Sequence, residues 1–155
     1  MKKLLAITLL ITGLTISQKS FAHCEIPCGI YGDSLRIEQI SEHITTLEKS
    51  MNQINELSKA GDKNYNQLVR WVVNKEEHAT KIQDIVSQYF LHQRIKPVDP
   101  TNVEAYAKYT NQLALLHHLL VFSMKAKQST DLEVIEKLRT TLDKFAHSYF
   151  HGHSH

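Results

Sequence analysis

Glycine and proline are scarce in this 155-residue chain, at five and three occurrences. So few chain-bending residues argue against collagen-like, linker-like and turn-rich all-β architectures. Two cysteines are too few for a disulfide scaffold. Charge of one sign is missing as well: 18 Lys and Arg stand against 16 Asp and Glu, a formal net charge of +2. No basic block supplies the footprint that nucleic acid demands. At 42% hydrophobic and 22% charged residues, the composition is ordinary for a globular domain, and the length fits one. Histidine is the abundant residue, at ten positions.

Residues 1–22 read as a secretory signal peptide. Lys2 and Lys3 form a positive start, and Leu4 to Ile16 is an uncharged apolar run too short for a bilayer-spanning helix. Ser20 and Ala22 then place small residues at −3 and −1 of a cleavage site. His23 before Cys24 speaks against a lipoprotein signal, and no twin-arginine pair is present. Cleavage by signal peptidase removes Lys2, Lys3 and Lys19 but no acid, leaving 15 basic side chains against 16 acidic ones. The mature chain is expected to lie in the periplasm, without a membrane anchor.

Beyond residue 32 the pattern is helical, and the fold class expected is all-α: an antiparallel four-helix bundle over residues 32–150 behind an N-terminal metal-binding hook. Ile37, Ile40, Ile44, Leu47, Met51, Ile54 and Leu57 form one stripe at spacings of three and four. Asp33 or Ser34 is expected to cap that helix and Gly61 to end it. A second helix over residues 62–91 turns Leu68, Val69, Val72, Ala79, Ile82, Val86 and Phe90 inward. After the Pro97–Pro100 loop, a third over residues 101–128 carries Tyr106, Leu113, Leu116, Leu120 and Met124. Thr130 and Glu133 read as a capping box for the fourth, whose stripe is Leu132, Ile135, Leu138, Leu142, Phe145 and Tyr149.

Chemistry concentrates at residues 23–31, His-Cys-Glu-Ile-Pro-Cys-Gly-Ile-Tyr. Once cleavage frees it, His23 offers an α-amine and an imidazole. Cys24 offers a backbone amide nitrogen and a thiolate, and Cys28 a second thiolate. Fused chelate rings of this kind are planar, and mixed nitrogen and sulfur donors in a plane suit Ni(II) or Cu(II) better than tetrahedral zinc. Pro27 and Gly29 shape the turn that returns Cys28. A disulfide between Cys24 and Cys28 is the competing fate in an oxidising compartment.

In this stretch the chain resembles the nickel-containing superoxide dismutases, whose mature N-terminus is a His-Cys-x-x-Pro-Cys-Gly-x-Tyr hook ahead of a four-helix bundle. His23, Cys24, Pro27, Cys28, Gly29 and Tyr31 match every fixed position. The resemblance implies that residues 23–31 are a nickel hook, with the cofactor held by the His23 amine, the Cys24 amide and the Cys24 and Cys28 thiolates. It implies an axial His23 imidazole, present in the oxidised state and released on reduction. It also implies Ni(II)/Ni(III) cycling that converts superoxide to oxygen and hydrogen peroxide, and assembly as a homohexamer. Tyr31 would stand over the open axial face and Glu38 would orient the imidazole.

The pattern departs from the family at two places. Glu25 stands where members often carry Asp, and His78 falls where the family has an arginine behind the axial imidazole. Simpler roles exist for several of these residues: Tyr31 can pack beneath the hook, and Glu38 suits the first turn of any helix. His43, His92, His117 and His118 read as surface or core-edge residues. The histidine-rich tail at 151–155, with His147 just before it, is a solvated end or a weak metal collector.

Two non-enzymatic readings compete with the dismutase: a periplasmic nickel or transition-metal binding or delivery protein, and a helical interaction module stapled by a disulfide. The hook reading makes the free amine indispensable. A variant with one alanine before His23, verified by mass spectrometry, is expected to lose nickel and activity while its far-UV circular dichroism stays helical. Full activity in that variant refutes amine ligation.

Overall fold

In the computed structural model, which describes residues 32–151, the apolar stripes become helices. They are α1 (Asp33–Lys59), α2 (Tyr65–Asp84), α3 (Val103–Gln128) and α4 (Glu133–Phe150). A 3-10 turn, Gly61–Lys63, links α1 to α2, and α2 runs on into a π-helical segment, Ile85–Arg94. No strand occurs among the described residues, and none of their helices is long and apolar enough to cross a membrane.

Cross-helix bonds set the directions. Asp33 at the start of α1 meets Tyr89 and Arg94 beyond the end of α2 and Tyr149 at the end of α4. Near the other end of α1, Asn55 donates to the Thr130 carbonyl ahead of α4 at 3.2 Å. Thus α1 runs antiparallel to α2 and to α4, and α3 completes the bundle between those two. The core between them is dry: Ile40, Ile44, Leu47 and Met51 from α1 meet Ile82, Val86 and Phe90, with Leu116 and Leu119 of α3 and Ile135, Leu138 and Phe145 of α4. Phe90 points its ring edge-on at Phe145, centroids 5.0 Å apart.

Several sequence expectations need correction. Neither Asp33 nor Ser34 caps α1; Gly32, at φ +75°, precedes it without a side-chain bond. The Asp33 carboxylate is committed to Tyr89, Arg94 and Tyr149 instead. Gly61 does follow the helix with φ +67°, a conformation that its missing Cβ permits. The Thr130–Glu133 capping box does not form: Asp131 accepts the Glu133 N–H at 2.9 Å, and Ser129 accepts that of Asp131 at 2.9 Å.

On α2 the buried series is Lys75, Ala79, Ile82, then Val86 and Phe90. Extended backwards at helical spacing it passes through half-buried Trp71 and Leu68, so Val69 and Val72 fall beside it, 59% and 39% exposed. On α3 the expected Tyr106 and Met124 face solvent, and the seam runs through Gln112, Leu116, Leu119, Ser123 and Ala126. Small residues let the helices approach closely. The two polar members are satisfied: Ser123 donates to the Leu119 carbonyl at 2.7 Å and Gln112 to that of Ser148 at 3.1 Å. Leu132 is likewise more exposed than its place in the α4 stripe implied.

Lys75 is the only charged side chain buried among the described residues. Its Nζ donates to the carbonyls of Ala126 and Lys127, at 2.6 and 2.5 Å, and pairs with Glu76 at 3.3 Å. Those carbonyls belong to the last turn of α3, where a helix leaves acceptors unpaired and carries partial negative charge. Lys75→Met keeps the apolar stem but strips both acceptors of their donor. The expected cost is about 2 kcal/mol, read as a lower urea midpoint at unchanged slope.

Candidate metal centre

Of the residues expected to form the site, His23, Cys24, Cys28 and Tyr31 lie outside the described residues; Glu38 lies within them. Glu38 sits on the exposed side of α1 and has no hydrogen-bond or ion-pair partner among the described residues. What the structure defines is the end of the bundle at which α1 begins, just after residues 23–31 in the sequence.

That end centres on Asp33, one residue after Gly32. Tyr89 donates its hydroxyl to one carboxylate oxygen, and Tyr149 donates to the other at 2.7 Å. Arg94 Nη2 lies 2.7 Å from each oxygen. Burial alone would raise the Asp33 pKa, but the bonds from Arg94, Tyr89 and Tyr149 outweigh it and hold the carboxyl below its ordinary range. Burial and the Asp33 charge push the Tyr149 hydroxyl up to about 12 and that of Tyr89 upward too, so both remain donors at physiological pH. The guanidinium groups of Arg36 and Arg94 lie 5.1 and 5.5 Å from the centre of the Tyr89 ring.

The π-helical turn explains how Tyr89 and Arg94 reach the same carboxylate. Ile95 N–H donates to the Phe90 carbonyl, five residues back, at 2.9 Å. Widening the turn brings residues five apart onto one side, a distortion that often accompanies functional sites. Beside this network lies a cavity of about 310 Å³ whose lining includes Arg94, Lys96, Lys108, Tyr109, Gln112 and Tyr149. Three cations and no acid line it, which favours small anions.

A second feature was not visible in the sequence. His43 of α1 and His78 of α2, both half-buried, bring their Nδ1 atoms to 3.1 Å with the rings edge-on. That contact requires one Nδ1 to carry a proton and the other to accept it. Burial lowers both pKa values; repulsion from His78 and Lys81 adds to the effect at His43, as does Lys81 at His78, against weaker opposition from Glu42 and Glu77. His78, the position where the resemblance leads one to expect an arginine, is a histidine in contact with a partner one helix away. Its signal was present only as two separate histidines, since no sequence spacing pairs residues 43 and 78.

His117 and His118 are exposed on α3 with ring centres 6.5 Å apart, and His92 is exposed as well. No group of three or more potential metal donors occurs among the described residues. The candidate donors His23, Cys24 and Cys28 lie in the rest of the chain. Anionic thiolates with an amine and an amide stabilise a high nickel oxidation state, so the donor set fits nickel.

Comparison with known proteins adds one result. The family model described as nickel-containing superoxide dismutase matches residues 18–153, which include residues 23–31 and the whole of the helical bundle. Neither curated proteins nor solved structures give a match.

Because both folded-state pKa values of the histidine pair are lowered, protons favour the unfolded chain. The pair's contribution to stability is complete above the unfolded value of about 6.5 and falls as the pH drops below it. Replacing both His43 and His78 with Gln is expected to flatten the decline in stability between about pH 7 and pH 5. Urea melts at successive pH values measure it, and an unchanged slope of stability against pH refutes the coupling.

Proposed function

The chain belongs to the nickel-containing superoxide dismutase family, and on that premise we propose that it dismutes superoxide at nickel held by its processed N-terminus. Membership makes it a nickel-containing oxidoreductase acting on superoxide. The observation that carries the finer reading is the coincidence of the complete hook sequence at residues 23–31 with a signal-peptide cleavage site after Ala22. Nickel held there would supply one-electron redox chemistry between the +2 and +3 states: the electron taken from one superoxide, released as oxygen, would pass to a second, which with two protons becomes hydrogen peroxide.

The chain's own residues have distinct tasks. The His23 amine and imidazole, the Cys24 amide and thiolate and the Cys28 thiolate are the ligands. Tyr31 would restrict access to small molecules and offer its hydroxyl to a bound anion or water. Glu38, exposed and without a partner among the described residues, is available to accept from the His23 imidazole and orient it, as carboxylates behind metal-bound histidines do. Asp33 fixes where the hook leaves the bundle, and the cations of the neighbouring cavity draw anions toward that end.

Export and cleavage by signal peptidase place the mature enzyme in the periplasm. The exposed series Tyr65, Val69, Val72 and Val73 on α2 supports association of bundles, in this reading as a homohexamer. The histidine-rich end supports the delivery alternative, in which nickel is bound but not cycled.

Cys24→Ser and Cys28→Ser separate these readings. A serine hydroxyl does not ionise near neutral pH and is a poor electron donor. Each variant is expected to lose superoxide turnover, followed by pulse radiolysis, while thermal unfolding of the bundle stays close to wild type. Turnover near the wild-type rate in either variant refutes nickel–thiolate catalysis. Tight nickel binding without turnover in the unaltered mature chain establishes delivery instead.

A further inference from the structure

The last turn of α4 carries a second pair of histidines, unrelated to the hook ligands. His147 and His151 lie four residues apart, so they share one face of the helix, and both are exposed. The backbone N–H of His151 donates to the His147 carbonyl at 3.1 Å, which closes the final turn and holds the two residues in register. Their ring centres are 4.8 Å apart, with planes inclined by 43°. Two imidazoles bound to one ion, at a metal–nitrogen distance of about 2.1 Å, have ring centres roughly 4.5–5 Å apart. The free protein already has that spacing. Neither ring has a hydrogen-bond or ion-pair partner among the described residues that an incoming ion would displace.

The position in the bundle gives the pair a possible use. Tyr149, between the two histidines in sequence, donates to Asp33 at 2.7 Å. The pair therefore stands at the same end of the molecule as Gly32, where the N-terminal segment joins α1. His153 and His155 follow in the sequence.

We propose that His147 and His151 form a bidentate site for a borderline divalent transition ion such as Ni(II), with water completing its coordination. Imidazole is a suitable donor for nickel, copper and zinc alike. Two ligands make a weak, exchangeable site rather than a permanent one, which is what capture before transfer to the hook demands. Only that use rests on the dismutase reading; the site itself does not.

The test removes the hook from the measurement. In the full mature chain with His23→Ala, Cys24→Ser and Cys28→Ser combined, so that neither the imidazole nor the thiolates of the hook remain, Ni(II) binding is followed by equilibrium dialysis with metal quantified by mass spectrometry. The background is expected to bind one exchangeable Ni(II) per chain at the α4 terminus. His147→Ala and His151→Ala, at exposed positions, are each expected to lose that ion, while the pair His153→Ala and His155→Ala retains it. The proposal is overturned if the background binds no Ni(II), if the two α4 substitutions leave binding unchanged, or if the 153 and 155 pair alone abolishes it. None of these outcomes depends on superoxide turnover, so the site can fail while the dismutase reading stands, and the reverse.

Discussion

The bundle's hook end depends on one carboxylate. Asp33 receives hydrogen bonds from Tyr89, Arg94 and Tyr149 and so joins the start of α1 to the ends of its two antiparallel neighbours. Its side chain is 16% exposed, which makes ionisation costly unless the charge is well compensated. The guanidinium, two hydroxyls and the positive end of α1 compensate it together. Whether such a network adds net stability over apolar packing is a close balance of desolvation against attraction. Its clearer effect is registration: three helix ends meet at one point, at the first residue of α1.

The carboxylate also shows why some of the fold was legible in the sequence and some was not. The stripes of α1 and α4 were readable because large aliphatic side chains at spacings of three and four have one physical outcome: burial on a shared face. Asp33 was expected to cap α1, since acidic residues at helix starts usually bond locally. Here a long-range network offers the same oxygens stronger donors. The α3 seam was misread for a related reason. Hydrophobicity picked out Tyr106 and Met124, whereas close packing selected Gln112, Ser123 and Ala126, whose small size or satisfied polar groups matter more than transfer free energy. The π-helical turn at Ile85–Arg94 left no sequence mark, because no glycine or proline produces it. Tertiary demand at Asp33 accounts for its geometry.

The candidate site divides along similar lines. The hook reading rests on local chemistry: candidate donors from adjacent residues on one short peptide, next to an expected cleavage site. The surroundings were not legible, because they are assembled across helices. His78 is the instructive case. An arginine there would be a permanent cation with five donors. The histidine is instead half-buried against His43, and burial lowers the pKa of both rings. Near neutral pH the pair presents uncharged imidazoles.

Fixed positive charge at the Asp33 end comes from other residues. The mature chain has 15 basic and 16 acidic side chains by the cleavage reading, so no global field guides an anion to it. Screening at physiological salt limits surface charges to about 8 Å in any case, and only cations close to the reaction centre can act. Among the described residues Arg94, Lys96 and Lys108 cluster in one cavity with no acid in its lining. That cavity shares Arg94 and Tyr149 with the Asp33 network. Arg94 is largely neutralised by Asp33, whereas Lys96 and Lys108 have no ion-pair partner among the described residues. The arginine therefore serves chiefly to hold the start of α1 against the ends of its neighbours, and the two lysines give the cavity its attraction for a monovalent anion. Position and attraction are thus assigned to different cations at the same end of the bundle, while His43 and His78 form a pair without fixed charge farther along α1 and α2.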